Sequence, residues 1–85
     1  MTHRLKVAPE FWGDLYSGAK TFEIRKNDRD YQVGDFLELN AYDKSQDKFI
    51  NTYKTLFFKV SCVFNAFGLQ DGFVCLGLKQ LKESE

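Results

Sequence analysis

Pro9-Glu10-Phe11-Trp12-Gly13-Asp14-Leu15-Tyr16-Ser17-Gly18-Ala19-Lys20-Thr21-Phe22-Glu23-Ile24-Arg25 is the stretch in which the chain changes its period twice. Before it, Leu5 and Val7 alternate with Arg4 and Lys6, the two-residue repeat of a strand, which ends at Pro9 because proline has no N–H to give to a ladder. From Pro9 the repeat lengthens. Phe11 and Leu15 are four apart, as are Trp12 and Tyr16, and Glu10 lies in the first turn, where a helix dipole favours an anion. Gly18 supplies the left-handed stop, so the pattern predicts one helix over residues 9–17. After Gly18 the period of two returns, with Thr21, Glu23 and Arg25 on one face and Phe22 and Ile24 on the other. The expected polarity has the apolar pair facing the core and the charged side chains leaving it together. Strand, helix and strand within so few residues predict an α+β fold.

Working outward, Asn27-Asp28-Arg29-Asp30 carries residues that bend a chain by bonding their own backbone, and Val33-Gly34-Asp35 marks a second turn. Leu37, Leu39 and Ala41 then alternate with Glu38, Asn40 and Tyr42 in a further strand. Asp43 to Lys48 reads as a solvated hairpin connection. In the long run from Thr52 to Phe64, Leu56, Phe58, Val60, Cys62 and Phe64 share one face, yet the other also carries apolar groups, which predicts a central or strongly curved strand. Residues 65–72 form a turn region in which Phe67 is expected to plug an opening. The last strand presents Val74, Leu76 and Leu78 to the core, with Gly77 marking a bend. The sum is about five strands and one early helix. A sheet of that size removes its exposed edges by closing into a small barrel with the helix at one opening, and an open sheet with the helix packed across it is the alternative. Residues 1–81 are expected to form one domain, followed by a frayed tail at 82–85.

Composition narrows the function classes. The chain has 85 residues, twelve basic against twelve acidic, and nine Phe, four Tyr and one Trp. These supply a core without disulfides or metal. Zero formal charge argues against a broad basic footprint, so any nucleic-acid contact must rest on a local patch. No apolar run approaches the ~20 residues of a membrane helix, and the first residues lack the apolar stretch of a signal peptide, so a cytoplasmic protein is expected. Cys62 and Cys75 stand inside apolar runs without metal-ligand spacing and read as buried reduced thiols. His3, the only histidine, reads as a surface or strand-start residue, and no cofactor or metal is implied.

The charge is concentrated between Lys20 and Arg29, where four basic residues accompany two carboxylates. Glu23 and Arg25 lie about 6.5–7 Å apart along one strand face, close enough to pair or to share a ligand. Such a set suits a nucleotide: lysine or arginine for phosphate, a carboxylate to accept from an amino group on a base, and a guanidinium as clamp or stacking plane. An ordinary salt-bridged strand and turn has the same residue types.

Gly18-x-Lys20-x-x-Glu23-x-Arg25 resembles the G-x-K-x-x-E-x-R signature of ASCH domains, a branch of the PUA-like β-barrel superfamily. The continuation Lys26-Asn27-Asp28-Arg29-Asp30-Tyr31-Gln32-Val33-Gly34-Asp35 is similar to that of a small, mostly uncharacterised subfamily of bacteria and phages. The preceding helix and the Phe67-to-Gly72 turn also match, so the resemblance spans nearly the whole chain. It implies a PUA-like barrel whose cleft beside the first helix binds single-stranded RNA or a nucleotide through Lys20, Glu23, Arg25, Lys26, Asn27, Arg29 and Tyr31. Some ASCH-like proteins are amidohydrolases of an acylated cytidine that use a lysine, a threonine three positions later and a downstream glutamate. Lys20 matches the first, and Lys20 with Glu23 would be the catalytic pair of such an enzyme, but Glu23 stands where that set has threonine. A phage or host regulatory protein acting through a protein partner is the third reading, and its mark would be a large exposed apolar patch. Among the aromatics, Trp12 and Tyr16 read as helix cover, while Tyr31, beside the charged turn, is a candidate to stack on a base.

Overall fold

Pro9 fixes the first turn of the helix α1 (Pro9–Ser17), and Gly18 ends it at φ 88°, a left-handed conformation that a side chain would strain. Leu15, wholly buried, anchors α1 to the core, and Trp12 packs beside it. The computed structural model describes residues 1–65 and 67–81. Among these, β1 (Thr2–Val7) precedes the helix, and β2 (Phe22–Lys26), β3 (Phe36–Asp43), β4 (Lys48–Phe49), β5 (Leu56–Phe64) and β6 (Phe73–Gln80) follow it. The result is a small α+β fold with one helix and a mixed six-stranded sheet. The short β4 is the strand beyond the expected five. The tail expected to fray, 82–85, lies outside the described residues.

The strand order is β1-β3-β5-β6-β2, with β4 paired to the far end of β3. β1 runs parallel to β3, and the remaining neighbours are antiparallel. β5 takes the central place that its two apolar faces predicted. Leu5, Val7, Leu37, Leu39, Phe58, Val60, Val74, Leu76 and Leu78 alternate into one core, as their spacing required. No ladder joins β1 to β2, so the sheet is open along that line. The two edges nevertheless approach each other, because the Arg25 side chain on β2 donates to the Lys6 carbonyl on β1 at 2.9 Å.

Four expectations are corrected. The faces of β2 group as predicted but with inverted polarity: Phe22 and Ile24 are exposed, while Glu23 is only 5 % exposed. Burial is tolerable because both oxygens of the Glu23 carboxylate are paired with cations. On β5 the alternation breaks after Val60, where a bulge shifts the register from Val60↔Leu78 to Cys62↔Gly77. Cys62 and Phe64 therefore point outward, Val63 turns to the core, and Cys75 is half-buried, so the thiols are free but not interior. A β-carbon at Gly77 would stand 2.6 Å from the Cys62 sulfur and 2.8 Å from the Ser61 hydroxyl, which explains glycine opposite the bulge. Phe67 is fully exposed and plugs nothing.

His3, expected at the surface or at a strand start, lies at the start of β1 and is buried. Its Nε2 donates to the Asp35 carboxylate at 2.8 Å, and its ring meets the Tyr31 ring edge-on at 4.8 Å. The contact fastens the start of β1 to the turn before β3. The His3 hydrogen bond, with help from the Gln32 N–H, holds the Asp35 carboxyl below the usual carboxylate range. Its stabilisation is therefore complete above the range near pH 4 in which an unfolded aspartate titrates, and is lost as the pH falls through the lower folded value. Urea midpoints should fall between pH 5 and pH 3, and Asp35→Asn should flatten that fall; an identical slope in the variant would refute the assignment.

Candidate nucleic-acid interface

The gap between β1 and β2 is where the charged motif comes together. Lys20 Nζ lies 3.2 Å from one oxygen of Glu23 and Arg25 lies 2.9 Å from the other, so the three heads converge on one buried carboxylate. Lys20 follows the helix stop, and its ammonium also sits 4.1 Å above the Phe11 ring of α1. Together with Lys6, Val7 and Ala8 these side chains line a hollow of about 330 Å³ along the seam. Each member of the trio has a protein partner, and Arg25 has a second in the Lys6 carbonyl.

Arg25 and Lys6 also form one wall of a larger cleft of about 710 Å³. β1 contributes Arg4 and Lys6, which the parallel register places beside Glu38 and Asn40 of β3. Arg29 enters from the turn after β2, and the chain from Phe49 to Thr55 forms the opposite side. Four cations and one carboxylate, Glu38, line this space, and Glu38 is taken by Arg4 at 3.0 Å. Lys6 lies 4.2 Å above the Tyr42 ring and, like Arg29, has no carboxylate partner among the described residues. Phe49 and Tyr53 are each close to half exposed. Tyr53 leans on Trp12, which stacks on Tyr16 and donates to the Lys54 carbonyl at 2.8 Å. The aromatic residues of α1 thus act as helix cover, and they brace this loop.

The motif residues divide. Lys20, Glu23 and Arg25 are brought together, and Arg29 joins Arg25 at the larger cleft. Lys26 faces outward with Phe22 and Ile24, because strand alternation puts it on the opposite side from Arg25. Asn27 is used by its own turn, its Oδ1 accepting the Tyr31 N–H, and it lies on a different hollow beside residues 69–73. Tyr31 is only 3 % exposed and belongs to the core, so its ring offers no face to a base. Burial holds its phenol above the usual tyrosine range, although Arg25 and Arg29 pull the other way.

Arg4, Lys6, Asn40, Phe49, Asn51, Tyr53 and Thr55 were not singled out from the sequence. The outward set of β1 and the outward set of β3 were each readable by alternation, but their parallel pairing was not. Among the described residues no three His, Cys, Asp or Glu side chains are grouped as a metal site, and no helix is long and apolar enough to cross a membrane.

Comparison with known proteins places this arrangement in a family without assigning it a role. No curated protein matches the chain. One family profile, described as a domain of unknown function (DUF3850), matches residues 2–78, from β1 to all but the end of β6. The chain, sharing that profile over its strands and its helix, belongs to the DUF3850 family.

Proposed function

We propose that the domain is an ASCH-like member of the PUA-like superfamily that binds single-stranded RNA or a nucleotide in the cleft between the Arg29 turn and the Phe49-to-Thr55 loop. The observation that carries this reading is the pair of cations without a carboxylate partner among the described residues, Lys6 and Arg29, in a hollow that also holds two half-exposed aromatic rings. Cations without carboxylate partners suit phosphates, and exposed ring faces suit bases. A volume of about 710 Å³ lies within the range of small-molecule sites. The Lys20–Glu23–Arg25 trio serves as the scaffold that sets the position of Arg25. The sheet is open between β1 and β2, and Arg25 reaches across that line to the Lys6 carbonyl.

Because the chain has no net charge, binding rests on few phosphate contacts and its salt dependence is shallow. Fluorescence anisotropy with a short labelled RNA strand should give a log–log slope against salt of about −1.4, from two contacts at −0.7 each. A slope of zero, or no binding at low salt, would overturn the proposal.

A second reading rests on a separate observation. Ile24, Cys75 and Phe64 stand in register across β2, β6 and β5, flanked by Phe22 and Phe73, on the outward face of the sheet. Exposures of 52 % for Ile24 and 53 % for Phe64 make this an apolar surface suited to a protein partner. Ile24→Asp separates the two readings, since it alters this face and leaves the RNA cleft untouched.

A further inference from the structure

Where β2, β6 and β5 lie side by side, the outward face of the sheet is apolar in the middle and basic at both ends. Phe22, Gly77 and Cys62 form one middle row, and Ile24, Cys75 and Phe64 the next. Lys26, opposite Phe73, closes one end. Lys59 and Lys79 close the other, both exposed and directly opposite each other on β5 and β6. Lys79 lies six residues along β6 from Phe73, so the charged ends stand about 20 Å apart. β5 and β6 contain no Asp or Glu, and the carboxylate of β2, Glu23, is turned inward. Among the described residues none of the three lysines has a carboxylate partner. Like charges directly opposite on neighbouring strands cost stability, and an anion placed over Lys59 and Lys79 relieves that repulsion.

We propose that this face docks an acidic protein segment whose apolar side chains meet Ile24 and Phe64 and whose carboxylates reach Lys26 at one end and the Lys59–Lys79 pair at the other. The proposal rests on the reading of this surface as a protein-docking face and adds the chemistry of the partner. An apolar centre with a charged rim is the usual anatomy of a protein interface. A second copy of the chain does not complement it, because each face would set its lysines against a face with no carboxylate to receive them. A lipid surface fits less well, since Phe22 and Phe64 keep only about half of their surface exposed and do not project into a bilayer. RNA would find cations here, but Ile24 and Cys75 at the centre offer no ring to stack on a base.

Selection by the immobilised full chain from a displayed library of random peptides tests the proposal, with a length of about fifteen residues spanning the charged ends even as a helix. Selected peptides should carry Asp or Glu on both sides of an apolar centre. A synthetic peptide of that sequence should bind at least about tenfold more tightly at low salt than its amidated copy, in which each Asp and Glu becomes Asn and Gln. Lys59→Glu with Lys79→Glu keeps a like-charged pair on the sheet and should remove most of that difference, while Ile24→Asp should abolish binding of both peptides. Selected peptides without acidic residues, or an amidated copy that binds as tightly, overturn the acidic partner and leave the docking face standing where Ile24→Asp still abolishes binding. Selection of no peptide sensitive to Ile24→Asp overturns the docking face itself, and this proposal with it. Binding of anionic phospholipid vesicles or single-stranded RNA that is lost in Ile24→Asp assigns the face to a membrane or to RNA and likewise overturns the proposal.

Discussion

Glu23→Ala is expected to destabilise the fold by about 3 kcal/mol, because removing one member of a buried ion pair leaves its partners charged and uncompensated. Glu23 is nearly inaccessible, while Lys20 and Arg25 keep 18 % and 24 % of their side-chain exposure, so water recovers part of the loss. That places the cost at the lower end of the usual range of about 3–5 kcal/mol for such a deletion. The reverse experiment has a different outcome. Replacing Lys20, Glu23 and Arg25 together by apolar residues of similar volume removes the desolvation penalty along with the attraction, and should cost less than Glu23→Ala alone. Urea unfolding of both variants measures the difference. A loss below about 0.5 kcal/mol for Glu23→Ala, the scale of an exposed pair, would mean that the trio contributes nothing to holding the seam.

The second large effect is on binding. Lys6→Glu combined with Arg29→Glu reverses both free cations of the cleft and should reduce affinity for single-stranded RNA by about a hundredfold or more at low salt, abolishing the salt slope of −1.4. Among the described residues both side chains lack a carboxylate partner, and Arg29 lies in a surface turn, so the fold should tolerate the change. Lys26→Glu with Lys79→Glu alters the same number of charges on the outward face and is the matched control. A similar loss in the control would mean that only the overall charge matters. An unchanged affinity in the cleft variant would exclude Lys6 and Arg29 as the phosphate contacts.

Much of this architecture was readable along the chain. The helix from Pro9 to Ser17, its stop at Gly18, the buried alternation of β3 and β6 and the central position of β5 all follow from local periodicity and turn residues. The polarity of β2 was not, because alternation defines two faces without saying which one is interior. A strand with charges on one side and two apolar residues on the other ordinarily turns the apolar side inward. Here Glu23 goes inward because two cations from different positions meet its carboxylate, and Phe22 and Ile24 join an apolar outer surface built by β5 and β6. The bulge at Ser61 was also hidden, since one extra residue is visible only against its partner strand.

The same distinction governs the candidate site. Lys20, Glu23 and Arg25 were found because they are close in sequence and share a strand face. Lys6, Asn40 and Thr55 were missed because they meet only through the parallel pairing of β1 with β3 and the return of the chain past Thr55. Tyr31 was misplaced for a related reason. Its neighbours in sequence are charged, but its ring packs against His3 and the core while its phenol meets Arg25.

The central claim concerns where a strand of RNA would lie, and amide chemical-shift mapping during titration with a short single-stranded RNA tests it most directly. The account predicts that the largest saturable shifts fall on Lys6, Arg29, Asn40, Asn51 and Tyr53, while Ile24, Phe64 and Cys75 on the outer sheet face stay unmoved. Shifts confined to that outer face, or an unperturbed spectrum at saturating RNA, would contradict it.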